Sequence, residues 1–327
     1  MQNFEHKNKI NIMIKFLILL NFLFINFLLI YKYVKSNYHF NFKNKRFNDN
    51  KILVFTFWEP STNVPGYLQL CVNTWKKNLP NSTITILDYS NLHKYLNSSI
   101  ISKILCKKML LFIQADAIRV AILEKYGGIW LDMDIIITNY RFLINVFRYD
   151  LVFFGSPKAK FPAIGFIYAS KNSRIIKEWL INIIKRVSIF KKIYFQKNKD
   201  YGKLLNLNKW NYLGNEVLNQ LLIKKKKKEY IIFDWVKMNA IPERNAFHFG
   251  HNMGLSEIKE AYHKFYFYPG NPQKIIYNSP GIIILHNSWT PKKYKSMSKT
   301  KFLKQNIMLS NLIKKLPING FLNSLFL

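Results

Sequence analysis

A chain of 327 residues, 49% hydrophobic and 16% aromatic, is long enough for one large α/β domain or two smaller ones and can fill a core. Its 50 Lys and Arg against 17 Asp and Glu give a formal charge of +33, which ordinarily points to nucleic acid or an anionic surface. Here much of the excess is lysine set among asparagine, as a compositional bias of the whole chain would produce. No RNA- or DNA-binding motif accompanies it, so no nucleic-acid partner is expected.

Phe16 to Tyr31 is an apolar stretch between Lys15 and Lys32, interrupted only by Asn21 and Asn26. At ~1.5 Å per residue it spans about 24 Å, and Ile10 to Ile14 with a snorkelling Lys15 extend it toward the ~30 Å hydrocarbon core. Tyr31 to Tyr38 offers no small residues for a cleavage site, so an uncleaved signal anchor is favoured over an N-terminal core helix. Residues 1–35 are then tail and transmembrane helix, and 36–50, rich in Asn and Lys, a stem. A single-pass membrane protein is expected, in the Golgi membrane if eukaryotic and the inner membrane if bacterial. Lysines on both sides leave the orientation open. The sequons at Asn81 and Asn97 permit a secretory lumen, and Cys71 and Cys106 need not pair.

Strand-like runs follow at Ile52–Phe57, Thr83–Leu87, Leu151–Gly155, Gly165–Ala169, Tyr230–Trp235 and Gly281–His286. Helical stretches between several of them predict a mainly parallel sheet. No internal repeat is present, and one catalytic domain over 51–290 accounts for the pattern. From Leu110 to Leu123 the chain is apolar almost all round, the mark of a helix buried on most sides. Asp116 and Arg119, three residues apart, share its face with Phe112, Val120 and Leu123. A buried ion pair gives doubtful net stability after desolvation, so this one points to a ligand nearby. Gly127 and Gly128 supply a left-handed stop, and Ile129 to Leu131 read as a short strand ending at Asp132 and Asp134.

Carboxyl ends of strands are where ligands bind in open α/β sheets. Residues i and i+2 of a strand lie ~6.6 Å apart at their Cα atoms. A divalent ion is not easily chelated by both unless the backbone bends between them, so one aspartate is expected to bind metal directly and the other to act through water or a ribose hydroxyl.

The run ADAIRVAILEKYGGIWLDMDI from Ala115 resembles the sugar-nucleotide signature of glycosyltransferase family 32, with its capsular polysaccharide synthesis and DXD sugar-binding-region branches. The resemblance implies a GT-A-type fold, an α/β architecture with a mainly parallel mixed sheet flanked by helices. It also implies transfer of a hexose or N-acetylhexosamine, with retention, from a UDP- or GDP-sugar to a glycan, lipid or polysaccharide acceptor. In that family the helix Asp and Arg contact the donor, and the DxD holds Mn²⁺ (or Mg²⁺) on the pyrophosphate. Carried over, catalysis falls to Asp116, Asp132 and Asp134.

ILVFTFW from Ile52 and the helix Pro65 to Pro80 resemble the family's opening, with Phe57 and Trp58 near the base. LGNEVLNQLL from Leu213 resembles a helix start at which Asn215 stands where proline is usual. GIIILHNSWT from Gly281 resembles the closing strand with its His-x-Ser-Trp tail. The substrate-binding set so implied is Trp58, Asp116, Arg119, Gly128, Asn215, Ser288 and Trp289, and the metal set is Asp132, Asp134 and His286. A histidine after an apolar run also suits plain packing, and His248 with His251 lack a third ligand.

Lys224 to Lys228 reads as a solvated loop that can touch lipid headgroups. The basic tail, 291–327, holds Lys299 to Leu316, whose apolar spacing suits either an interfacial helix or a terminal helix packed on the core. Two other function classes stay in view. A DxD phosphohydrolase of the haloacid-dehalogenase type wants Thr or Val where Ile136 stands, and a basic membrane-surface binder leaves Asp116 and Arg119 unexplained.

Overall fold

A computed structural model describes residues 51–79, 81–157, 161–196, 207, 209–226, 229–247 and 254–316. The apolar run 16–31, the stem 36–50 and the pair His248 and His251 lie outside these described residues.

The strands are β1 (Ile52–Phe57), β2 (Ser82–Leu87), β3 (Gly128–Leu131), β4 (Ile135–Ile137), β5 (Leu151–Ser156), β6 (Phe161–Ala169), β7 (Ile231–Asp234) and β8 (Ile282–Ile284). Six of them form one sheet in the order β2-β1-β3-β6-β5-β7, and β4 pairs with β8 in a second, two-stranded sheet. In the large sheet β1 runs parallel to β2 and β3, and β5 parallel to β7. Only β6 runs against its neighbours. The architecture is thus α/β with a mixed, mostly parallel sheet flanked by helices.

The helices that position the site are α1 (Gly66–Asn78), α2 (Leu111–Tyr126), α3 (Arg174–Tyr194), α4 (Asn215–Leu222) and α5 (Leu255–Tyr266). Helix α2 forms because almost every residue from Ile113 to Leu123 finds an apolar neighbour, and ten of its residues are buried. It ends where Gly127 (φ 65°) and Gly128 (φ 95°) enter the left-handed region, which side chains with a Cβ avoid. Space enforces the same choice, since a Cβ at Gly128 would meet the Leu53 carbonyl of β1 at 2.5 Å. The helix therefore runs straight into β3.

The small sheet departs from the expectation that Gly281–His286 belongs to the parallel array. Its strand β8 pairs antiparallel with β4, Ile135 opposite Ile284. The other edge of β4 is closed by α1: Trp75 Nε1 donates to Ile135 O (2.7 Å), Asn78 Nδ2 to Ile137 O (2.8 Å), and Thr74 Oγ1 accepts from Ile137 N–H (2.9 Å). An unpaired edge buried under a helix would strand its polar groups. Three side chains from the carboxyl-terminal end of α1 prevent that.

The basic carboxyl-terminal stretch is not an interfacial helix. It forms short helices at Lys299–Leu303 and Met308–Lys315, and Phe302, Ile307, Leu309, Leu312 and Leu316 are buried. Phe302 packs on Tyr67 of α1 and on Tyr294, with ring centroids 5.9 and 6.1 Å away. Residues 291–316 therefore build onto the same compact unit as residue 51 onward. Lys225 in the lysine run pairs with Glu178 of α3 at 2.8 Å. Cys71 and Cys106 are both free and buried.

The expected single-pass membrane localisation, Golgi or inner membrane, is corrected. No helix among the described residues is long and apolar enough to cross a membrane. Helix α3 has the length, 21 residues, but Arg174, Lys177, Glu178, Lys185, Arg186, Lys191 and Lys192 punctuate it.

Candidate active site

Parallel pairing sets Phe55 of β1 opposite Trp130 of β3, so the carboxyl ends of both strands share one edge. Trp58 and Asp132 follow at that edge. Asp132 N–H donates to Gly165 O of β6 (2.7 Å), and a Cβ at Gly165 would stand 3.1 Å from Asp132 Oδ2. Asp132 Oδ1 accepts from Trp130 Nε1 (2.9 Å) and Arg119 Nη2 (2.8 Å). The Asp132 side chain stays 39% exposed while that of Arg119 is 6% exposed.

Arg119 lies between two carboxylates, with Nη1 3.2 Å from Asp116 Oδ1, and its guanidinium sits over the Trp130 ring at 5.1 Å. Nε and Nη1 are buried without a hydrogen-bond partner in the protein. Burial pushes the Asp116 carboxyl up to about 6, against the pull of Arg119 and with the repulsion of Asp132. Gly214, at the start of α4, lies so close to Asp116 Oδ2 that a Cβ would collide with it. Asn215 follows, buried, with an Oδ1 that has no donor.

Between the aspartates the backbone does bend: Ile135 N–H donates to Asp132 O at 3.1 Å, a turn that takes the chain from β3 into β4. Asp134 Oδ2 then accepts from Asn287 N–H (2.6 Å) and its carbonyl from Leu285 N–H (3.2 Å). Burial, reinforced by the negative charge of Asp132, raises the Asp134 carboxyl to about 7. The Tyr67 hydroxyl of α1 donates to Asn287 Oδ1 and holds that residue in place.

His286 does not join the carboxylates. Its ring packs on Trp289 (centroids 4.0 Å) and Tyr262 (5.7 Å), leaving Nε2 without a hydrogen-bond partner. Burial, then the charge of Arg244, lowers its imidazole to about 4. Among the described residues no three His, Cys, Asp or Glu side chains converge on a common point for an ion. The His286 ring is thus held by aromatic packing, while Asp132 and Asp134 stand on either side of the turn that leaves β3.

Ser288 is exposed, and Trp289 O lies 2.5 Å from His263 Nε2, flanking the Asp134 side through Asn287. Trp58 Nε1 donates to Asn63 O (3.2 Å), and its ring lines a cleft of about 840 Å³ with Gln69, Lys292 and Lys295. Gly128 lies away from the other residues of the expected substrate set. It stands at the opposite end of β3 from Asp132, packed on Leu53, where its role is backbone geometry.

Sequence reasoning missed Trp130, Gly165, Gly214 and Asn287. The signal for Gly165 was present in AIGF, where a glycine interrupts an apolar run, and that for Gly214 in LGNE, where a glycine precedes a helix; Asn287 acts through its backbone N–H, which leaves no trace in residue type.

Glu243 is a buried carboxyl outside this cluster. Tyr266 Oη donates to its Oε2 at 3.0 Å, and Arg244 and Tyr262 are the other ionisable groups facing it. Burial raises it to about 7, so the folded protein holds the proton more tightly than the unfolded chain does. The stability gained is complete below the ordinary glutamate range and is lost as pH rises through about 7. Wild type should therefore weaken between pH 5 and 8 more than Glu243→Gln does, by about 3 kcal/mol at most. Denaturant unfolding of both at the two pH values measures this, and identical pH slopes would refute it.

Residues 19–239, more than half of the chain, match the family described as Capsular polysaccharide synthesis protein. The match takes in Trp58, Asp116, Arg119, Asp132, Asp134 and Asn215 and stops before His286. No curated protein matches the chain. A solved structure described as PaToxG Glycosyltransferase overlays at TM-score 0.32 with 14% identity, covering 89% of this chain and 97% of its own. That overlay is too loose to bear on fold or function.

Proposed function

Because the chain belongs to the capsular polysaccharide synthesis protein family, we propose that it is a metal-dependent glycosyltransferase of the GT-A type, akin to family 32. In this reading it moves a hexose or N-acetylhexosamine, with retention, from a UDP- or GDP-sugar to a glycan, lipid or polysaccharide acceptor. The observation that carries the reading is Arg119, buried between Asp116 and Asp132 with two donors unsatisfied. Buried donors without partners are costly, and a phosphate oxygen or sugar hydroxyl would satisfy them.

A divalent cation suits the pair Asp132 and Asp134. Two carboxylates that repel each other, one of them raised to about 7, are relieved by positive charge, and Mg²⁺-like ions are held by one or two carboxylates with water and phosphates completing the shell. When bound there, Mn²⁺ or Mg²⁺ supplies charge stabilisation to the departing nucleoside diphosphate. Arg119, ion-paired through Nη1 to Asp116 and through Nη2 to Asp132, orients the donor's phosphate or ribose with Nε and the N–H groups those pairs leave unbonded. Asp116 accepts a hydrogen bond from a hydroxyl of the transferred sugar. Asn287 N–H fixes the direction of the Asp134 carboxylate, and Trp130 that of Asp132.

The test is donor hydrolysis by the purified chain across UDP- and GDP-sugars with Mn²⁺. One donor should be cleaved well above the rest and chelator should stop it. Failure to cleave any of them, with none binding either, would sink the transferase reading.

A further inference from the structure

Among the exposed aromatic side chains that this mechanism leaves unused, Trp210 stands beside the carboxylate cluster. Trp210 is 65% exposed, yet its ring is seated against Phe112 of α2, centroids 4.6 Å apart at 38°. A single exposed apolar ring is ordinary on a protein surface; this one is set apart by its seat on Phe112 and its place beside the carboxylate cluster.

Both ends of this pair lead to Asp116. Phe112 and Asp116 are one turn apart on the same face of α2, about 6 Å along its axis. Four residues beyond Trp210 the chain reaches Gly214, which abuts the Asp116 carboxylate, and then Asn215 with its unpartnered Oδ1. The indole is therefore tied to the carboxylate through the helix on one side and through its own strand of chain on the other. Leu111, 46% exposed, widens the apolar ledge beside it.

We propose that Trp210, backed by Phe112, is the acceptor subsite: a pyranose ring of a glycan acceptor stacks its C–H face on the indole, next to the sugar held at Asp116. A flat, rigid aromatic face with hydrogen-bonding groups at one end matches a sugar ring, which has an apolar face and a polar rim. The buried Oδ1 of Asn215 offers the acceptor its lacking donor partner, a hydroxyl. This assignment rests on the transferase reading above.

The probe is a panel of methyl glycosides of glucose, galactose, mannose and N-acetylglucosamine, with maltose, lactose and cellobiose. Binding is read by saturation-transfer NMR on the full chain, beside octyl glycosides as an apolar control. At least one methyl glycoside or disaccharide should bind wild type, weaken tenfold or more in Trp210→Ala, and recover most of its affinity in Trp210→Phe. Three results would overturn the proposal: no panel sugar binding wild type, binding indifferent to Trp210→Ala, or binding by the octyl glycosides alone, which would mark a lipid or protein contact. An equal loss of nucleotide-sugar binding in Trp210→Ala would assign the ring to the donor and also overturn it. Absence of donor hydrolysis in wild type strikes the transferase reading instead, and leaves the glycoside titration to be judged by itself.

Discussion

Asp132→Ala and Asp134→Ala should each lower sugar transfer by about two to four orders of magnitude while the protein stays folded. Each variant removes one of the two carboxylates placed to hold a cation against the leaving group. The fold tolerates the loss for a local reason. The Asp132 side chain is 39% exposed, and Asp134 is a carboxyl whose burial already opposes its charge. Removing Asp132 leaves Arg119 paired with Asp116 alone and strands Trp130 Nε1, a cost of about 1–3 kcal/mol. Removing Asp134 strands the Asn287 N–H. Transfer rates beside thermal unfolding, with and without chelator, decide the matter. Full activity of either variant, or of wild type in chelator, ends the metal hypothesis.

The second large effect is at Arg119. A lysine there presents a single ammonium where the guanidinium now reaches Asp116 and Asp132 at once, and a planar fork is poorly replaced by a point charge. Arg119→Lys should reduce transfer by about tenfold to a hundredfold, equivalent to ~1.4–2.7 kcal/mol of lost transition-state stabilisation. Asp116→Asn should behave differently. Burial favours the neutral form of Asp116, whose carboxyl titrates near about 6, so the stability tied to its proton is lost as pH rises through that value. The amide removes this loss, and the variant should be no less stable than wild type at pH 8 while transferring at least tenfold more slowly. Circular dichroism beside the transfer assay separates the two roles. If both variants unfold while their folded fraction turns over normally, the pair is structural.

The features that depend on local pattern were legible in the sequence. Helix α2 could be read because two opposite charges interrupt a run that is apolar on every side. The stop at Gly127 and Gly128 could be read because only glycine takes that backbone. Strands β1, β3 and β5 fell within a residue of their expected bounds.

Features set by distant partners were not legible. Strand β4 is three isoleucines after a turn, and only the side chains of Thr74, Trp75 and Asn78 on α1 reveal why they extend. The His286 ring packs on Tyr262 and Trp289, contacts that residue spacing does not encode. The apolar spacing after Lys299 suited an interfacial helix and a helix packed on the core equally, and the structure shows the second. What it lacked was the identity of the surface that buries it, which is Tyr67 and the rest of α1.

The hydrogen bond from Asn287 to Asp134 bridges 153 positions of chain. On a ribosome adding about 5–20 residues per second, the aspartate is made roughly eight to thirty seconds before the amide that aims it. During that interval the nascent chain already holds Asp116, Arg119 and both aspartates, yet Asp134 has nothing to orient it. Such long-range closures form late and slowly. Ligand affinity should accordingly arrive as a last step of maturation, and a polypeptide ending at residue 239 would carry the full aspartate pair with the second carboxylate unaimed.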